Sequence, residues 1–468
     1  MTATRRSDIA AAVGESADNQ VANERGLRRQ LGAGQMAMVG VGGSIGTGLL
    51  LGSAAAIQIA GPAVILSFAL AALIAYTVAM AMGELASVHP AAGSFGVYAE
   101  IYLNHWAGFV SRSGFWIAIA MAIGGEMVAS ATYMNQWLPG VPAIVWICIF
   151  AAALLAVNLM SVGRYGWFEY WFAMVKVVTM IAFVALGGVL LLTGHLAPQY
   201  AANGGFFPRG HAAPMYAMAF ALFTFAGVEM VAISSGESRS GRDVGRAMRI
   251  AFFLLAFVYL GSIVVLVGIM PWDGAGVTES PFVTVFKHVG LPAAGHVMNF
   301  VVLTAALSGA NASLYVDSRM LFSLARGGCA PAAMGRLNHS GTPMNALLVS
   351  SFGIIVALVL ERWAPKDAFV YILGAALFGA MLAWLVALAA HVVFRRRLGA
   401  EQLAALPMRS PGGAWLSAAG LAAIVISLLT TWGASPVTVV SGVVYLVILS
   451  IAYLLVAPGI RERLATSD

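Results

Sequence analysis

The chain has 468 residues, of which 60% are hydrophobic and only 9% charged, and its mean hydropathy is +0.88. Water-soluble domains carry roughly 25% charged residues, so that class is excluded. The net charge of +6 and pI near 9.4 do not point to nucleic acid, because the basic residues gather in short stretches between long apolar runs.

Residues 1–30 are polar and arginine-rich and lack the apolar core of a signal peptide, so they are expected to form a disordered tail, with Arg25, Arg28 and Arg29 near a membrane surface. From Gln30 to Gly83 there is no Asp, Glu, Lys or Arg, a length that predicts two membrane spans joined by a turn at Ala60-Gly61-Pro62. The first of these spans contains GGSIGTGLLLG, with Gly42, Gly43, Gly46 and Gly48 packed into its middle. In hydrocarbon an unsatisfied backbone group costs several kcal/mol, so a helix breaks at that depth only where the freed amides and carbonyls line a cavity. The glycines therefore mark either a close-packing face or a deliberate break, and the break is the signature of a transporter.

Windows of about 20 apolar residues give twelve expected spans: 33–57, 62–83, 107–134, 141–162, 169–193, 213–235, 248–270, 294–318, 344–361, 367–391, 413–432 and 436–457. Between the second and third, residues 84–106 read as a short interfacial helix and turn. With the N-terminus cytoplasmic, the inside segments hold 20 Lys and Arg and the outside segments four, which predicts that both termini face the cytoplasm. The sixth span, FALFTFAGVEMVAISSGES, places Gly227 and Glu229 where a second interruption would match the first. Cys148 and Cys329 read as a small apolar side chain and a loop thiol, not a disulfide.

Charged residues inside spans are functional candidates, because placing them there is costly. Lys176 is the mid-membrane lysine, and Glu126 and Glu229 are the matching carboxylates. Glu126 is expected to face a substrate or move protons, and Glu229 to orient the sixth break. Glu84, Glu169, Asp317 and Arg319 lie near expected span ends and read as interfacial charges. The eight histidines have no metal-ligand spacing, and no phosphate loop or nucleophile elbow is present, so no cofactor is expected. A membrane-embedded enzyme would need a paired acid–base or Ser/Lys constellation at span depth, and a channel would need polar stripes through several spans.

The motifs resemble those of the bacterial amino acid permeases of the amino acid–polyamine–organocation superfamily. The matches run in order: GGSIGTGLLLG, GELASVHPAAGSF (83–95), Phe168-Glu169 with Lys176, FAGVEMVAISSGE (225–237), PW (271–272), SPFVTVF (280–286) and LTAALSGANASLYVDSRMLFSLARGGCAP (303–331). The resemblance implies an all-α membrane protein with ten core helices in a 5+5 inverted repeat, broken helices 1 and 6, and two peripheral helices. The first repeat would span about 33–193, the second about 213–391 and the peripheral pair 413–457, within one permease domain of 31–457 followed by a tail of 458–468. It also implies proton-coupled amino acid uptake in a bacterial inner membrane, with a sensor or exchanger as the alternative.

An amino acid presents a carboxylate and an ammonium group. If the first helix unwinds at Gly46, the amides of Thr47 and Gly48 become a helix N-terminus suited to the carboxylate, and the Ile45 carbonyl faces the ammonium. Carbonyls near Phe223 and Ala226, beside Gly227, would complete that shell. The resemblance makes Phe223 an aromatic gate and places Lys176 as a bridge between the first and eighth spans, with Ser308 or Ser313 as partners. Two departures stand out: Ser238-Arg239-Ser240-Gly241-Arg242 replaces the family's acidic residue and Asn/Asp-Pro, and Ala312 and Asp317 stand where relatives often have Ser and Asn. Partners are expected to be the amino acid, protons and lipid, with no nucleic acid; oligomeric state and the particular amino acid are not encoded in any motif.

Overall fold

The computed structural model describes residue 24 and residues 27–159, 162–274, 280–288, 292–363, 368–434 and 436–465. Among these residues all regular structure is helical, apart from a single bridge between Leu31 and Ser238. The first expected span is three helices, α1 (Ala33–Ser44), α2 (Thr47–Leu50) and α3 (Gly52–Ala60). It is followed by α4 (Val64–Val88), the short α5 (Ser94–Tyr102), α6 (His105–Asn135), α7 (Ala143–Asn158) and α8 (Val162–Leu192). The sixth span is divided into α9 (Ala213–Tyr216), α10 (Met218–Phe225) and α11 (Met230–Ile233). Beyond it lie α12 (Gly241–Ile269), α13 (Pro281–His288), α14 (Pro292–Arg326), α15 (Met344–Ser350), α16 (Phe352–Trp363) and α17 (Ala368–Arg397). The chain closes with α18 (Ala400–Ala405), α19 (Gly413–Ala434) and α20 (Pro436–Ala465).

Every expected span falls on helix, and nine helical segments among the described residues are long and apolar enough to cross a membrane. Burial separates core from rim. In the most apolar stretches of α6 and of the sixth segment 83% of residues are buried, against 28% in α8 and 22% in α19. The largest packing interfaces include α6 with α14 and α17, and α4 with α12. These join the third span to the eighth and the tenth, and the second to the seventh. Helices in lipid gain nothing from hydrophobic sorting and depend on close approach. At one such approach a Cβ on Gly353 would stand 1.7 Å from the Ala120 carbonyl of α6.

Several boundaries differ from the sequence expectation for capping reasons. α12 starts at Gly241 rather than 248 because Ser240 accepts from the Asp243 amide at 3.2 Å, which replaces the missing proline signal. α6 starts at His105 because Asn104 caps the Ala107 amide at 2.8 Å. α20 runs to Ala465, into residues expected to be tail. Most of the expected N-terminal tail lies outside the described residues, but Glu24 is buried and both its oxygens accept from the Gly93 amide at 3.1–3.2 Å.

Candidate functional site

The two broken segments meet at mid-bundle. α1 ends at Ser44, Ile45 leaves helical geometry, and Gly46 is extended before α2 resumes at Thr47. Opposite it α10 ends at Phe225, Ala226 turns extended and Gly227 takes φ +112°, a conformation reserved in practice for glycine. A Cβ on Gly227 would lie 2.5 Å from Ser44 Oγ and 2.9 Å from Ser44 Cα, so this glycine also permits the contact between the breaks. Thr224 Oγ1 donates to the Gly48 carbonyl at 3.3 Å, a second cross-link.

A cavity opens between the breaks, with about 610 Å³ of unfilled space counting its mouth. Gly43, Thr47 and Gly48 line it from the first segment, and Phe223, Ala226 and Gly227 from the sixth. Ile119 and Glu126 of α6, Ser313 of α14 and Ala376 and Ala380 of α17 complete the wall. The Gly48 amide and the Ala226 carbonyl take part in none of the hydrogen bonds among the described residues. Unpaired backbone groups facing a cavity are what a polar ligand recognises.

The Thr47 amide does not point into empty space, as the sequence reading expected. It donates to Glu126 Oε1 at 3.0 Å, so a carboxylate of the protein itself sits there. The Ile45 carbonyl is likewise taken. Lys176 Nζ donates to Gly42 O at 2.5 Å, to Ile45 O at 2.9 Å and to Ala305 O at 3.4 Å. Lys176 thus joins the first segment to α14 as expected, but through backbone carbonyls rather than through Ser308 or Ser313. Ser308 Oγ instead donates to Glu169 Oε1 at 2.7 Å, and Ser313 faces the cavity. The break frees the Gly42 and Ile45 carbonyls to accept from the ammonium, while the Ser308 hydroxyl is committed to Glu169.

Glu169 was the main omission. It is fully buried, not interfacial, and also accepts from Asn311 Nδ2 at 2.7 Å, while Asn158 Nδ2 donates to Asn311 Oδ1 at 2.8 Å. Its carboxylate occupies the space left by Gly42, where a Cβ would stand 2.2 Å from Oε1. The signal was available: Glu169 and Lys176 are two turns apart, on one face of α8.

The other charges expected at interfaces are buried too. Glu84 accepts from Arg395 Nη2 at 2.6 Å and from the Ser410 amide, joining α4 to α17 and the chain before α19. Arg319 pairs with Glu237 at 3.3 Å and lies 3.8 Å over the Tyr315 ring, and Tyr315 stacks on Tyr165 at 4.3 Å. Asp317 is fully buried, with neither oxygen hydrogen-bonded among the described residues. Inter-helix pairing removes Glu84 and Arg319 from lipid, which hydropathy near a span end does not reveal. Glu229 starts α11 and accepts from Trp384 Nε1 at 3.0 Å.

Comparison with known proteins places this geometry in context. The amino acid permease family model matches residues 35–461. The chain is 34% identical over 439 residues to the aromatic amino acid transport protein of Escherichia coli (strain K12), covering 92% of this chain and 95% of that protein. It is 35% identical over 385 residues to the gamma-aminobutyric acid permease of Bacillus subtilis (strain 168), covering 80% and 82%. Among solved structures it superposes on the Eremococcus coleocola manganese transporter with a TM-score of 0.53 and 14% identity, covering 92% of this chain and 94% of that one. That likeness is one of fold alone, the LeuT-like fold with interrupted first and sixth helices.

Proposed function

The chain belongs to the amino acid permease family, and from that premise we propose that it is a secondary active transporter importing an amino acid across a bacterial cytoplasmic membrane, coupled to protons and working by alternating access. The observation that carries the reading is the pair of facing breaks around one cavity, with an unpaired amide on one side and an unpaired carbonyl on the other. An α-amino acid fits that arrangement, its carboxylate at Gly48 and Thr47 and its ammonium at the carbonyls near Ala226 and Phe223. Phe223, on the cavity wall, is the proposed aromatic gate. Gly46 and Gly227 keep both breaks free of side chains.

Lys176 holds the first break against α14 and belongs with Glu126 to the proposed proton-coupling set, as the fixed cation beside that carboxylate. Ser308 serves it at one remove, by positioning Glu169, and Glu229 holds the sixth break to α17 through Trp384. Ser313, beside the cavity, completes the coupling set. The two repeats run over about 33–193 and 213–391, with 413–457 peripheral and twelve spans in all. The concentration of Lys and Arg in alternate loops supports cytoplasmic termini.

A thermal-shift screen of the purified full-length protein against the twenty amino acids at pH 5.5 and 7.5 tests the reading. A ligand that binds only the folded state raises Tm with RT ln(1 + [L]/Kd). The expected result is a few chemically related amino acids that stabilise the protein and are accumulated by proteoliposomes under an inward proton gradient. No stabilisation by any of the twenty or by γ-aminobutyrate would refute it.

A further inference from the structure

We propose that Glu126 is a tethered competitor for the substrate's carboxylate, so that an amino acid takes the Thr47 amide only after Glu126 has accepted a proton. This deepens the amino acid reading and rests on it. The Thr47 amide already has a carboxylate partner: Glu126 Oε1 accepts from it at 3.0 Å. The second oxygen, Oε2, is buried and has no hydrogen-bond partner among the described residues, so this carboxylate is only half satisfied where it stands. The residue is 7% exposed and lies on the cavity wall. Its place there is built by absent side chains. A Cβ on Gly46 would stand 2.3 Å from Oε1, and one on Gly309 of α14 would stand 3.1 Å from it.

One N–H cannot serve two carboxylates, and two anions side by side in a site of low dielectric repel strongly. An entering amino acid must therefore displace Glu126 or neutralise it. Protonation does the second: the carboxylate and a proton from solution become a carboxylic acid. A neutral acceptor binds an N–H less strongly than a charged one, and the new O–H can itself donate to the arriving carboxylate. On release the acid returns its proton and Glu126 closes again on Thr47.

The titratable and charged groups whose fields reach Glu126 are few. Lys176 faces it from α8, Tyr133 from its own helix and Tyr259 from α12. The other residues that line the cavity with it, from the broken segments, α14 and α17, are glycines, alanines, Ser44, Thr47, Phe223, Met230 and Ser313, none of which titrates in this range. Lys176 is thus the cation that steadies the ionised form of Glu126. Proton and amino acid then enter together, one for one, by competition for a single amide.

The test is isothermal titration of full-length protein in detergent with L-phenylalanine, or with γ-aminobutyrate if L-phenylalanine does not bind. Titrations at pH 6, 7 and 8, in buffers of different ionisation enthalpy, count the protons exchanged. The expected wild-type result is uptake rising toward one proton per ligand, with apparent Kd weakening toward tenfold per pH unit. Glu126→Gln keeps an acceptor for Thr47 but cannot titrate; it should bind with no proton uptake and a Kd independent of pH. If that variant fails to fold, the wild-type proton count decides alone.

Wild-type binding without proton uptake, or Glu126→Gln taking up as many protons as wild type, would overturn the inference and leave the amino acid reading standing. Binding that tightens as pH rises would overturn it as well, since ionised Glu126 would then be serving the ammonium. Failure of the whole amino acid panel to bind would remove the reading on which the inference depends.

Discussion

Replacing Lys176 with methionine keeps the length and apolar stem of the side chain but removes the ammonium. Its two shorter bonds, to Gly42 O and Ile45 O, are charge-assisted and worth about 1.5–3 kcal/mol each, so about 3–6 kcal/mol ties the first break to its neighbours. The bond to Ala305 at 3.4 Å adds little. Some of that loss is returned, because the methionine no longer buries a charge. Glu169, however, is left buried without its cation. If only about 3 kcal/mol remains set against the transport-competent arrangement, uptake falls more than 100-fold, at tenfold per 1.4 kcal/mol. The assay is uptake of the stabilising amino acid into proteoliposomes between pH 5.5 and 7.5, with thermal unfolding in detergent to verify folding. Uptake by Lys176→Met within threefold of wild type, with an unchanged pH profile, would refute the reasoning.

Gly227→Ala meets both a left-handed backbone and Ser44, so it should lose uptake while still reaching the membrane; the backbone strain alone costs about 1–2 kcal/mol, and wild-type transport by this variant would show that the sixth segment can rearrange freely. Glu237→Gln leaves Arg319 buried without its counter-charge, at a cost of about 3–5 kcal/mol. Its Tm in detergent should fall, and Glu237→Gln/Arg319→Met should recover part of that fall; a double variant no better than the single would argue against the pair. His89, just past the end of α4, is buried against Tyr102 Oη at 2.7 Å, and burial depresses its pKa to about 4. The unfolded chain binds that proton first, so its contribution is complete above pH 6.5 and is lost as pH falls toward 4, up to about 3 kcal/mol. His89→Gln should therefore lose less stability than wild type between pH 7 and 4 in chemical denaturation, and an equal loss would contradict the assignment.

Hydropathy alone located the long helical segments, because lipid offers no partner for a backbone group and an apolar run of that length has to be helix. The first break was legible for the same reason: four glycines between Gly42 and Gly48 have no purpose in a continuous membrane helix beyond packing, and Gly227 marks the second. Lys176 was conspicuous because a lone mid-membrane ammonium has to find acceptors. Which acceptors it found was not legible. Its partners Gly42 O, Ile45 O and Ala305 O lie 129–134 residues away and are backbone atoms, which carry no residue signature.

The occupation of the Thr47 amide by Glu126, across 79 residues, depends on α6 lying against the first break, where Gly46 and Gly309 leave room. Glu84, Glu169 and Arg319 read as interfacial because position along a span reports depth, not direction; only packing decides whether a charge faces lipid or a partner on another helix. The sequence by itself therefore determined which runs form long apolar helices and where two of them break, since both follow from each residue's cost in lipid. Which polar group meets which was decided by the tertiary structure alone, since that is a property of helix faces brought together from far apart in the chain.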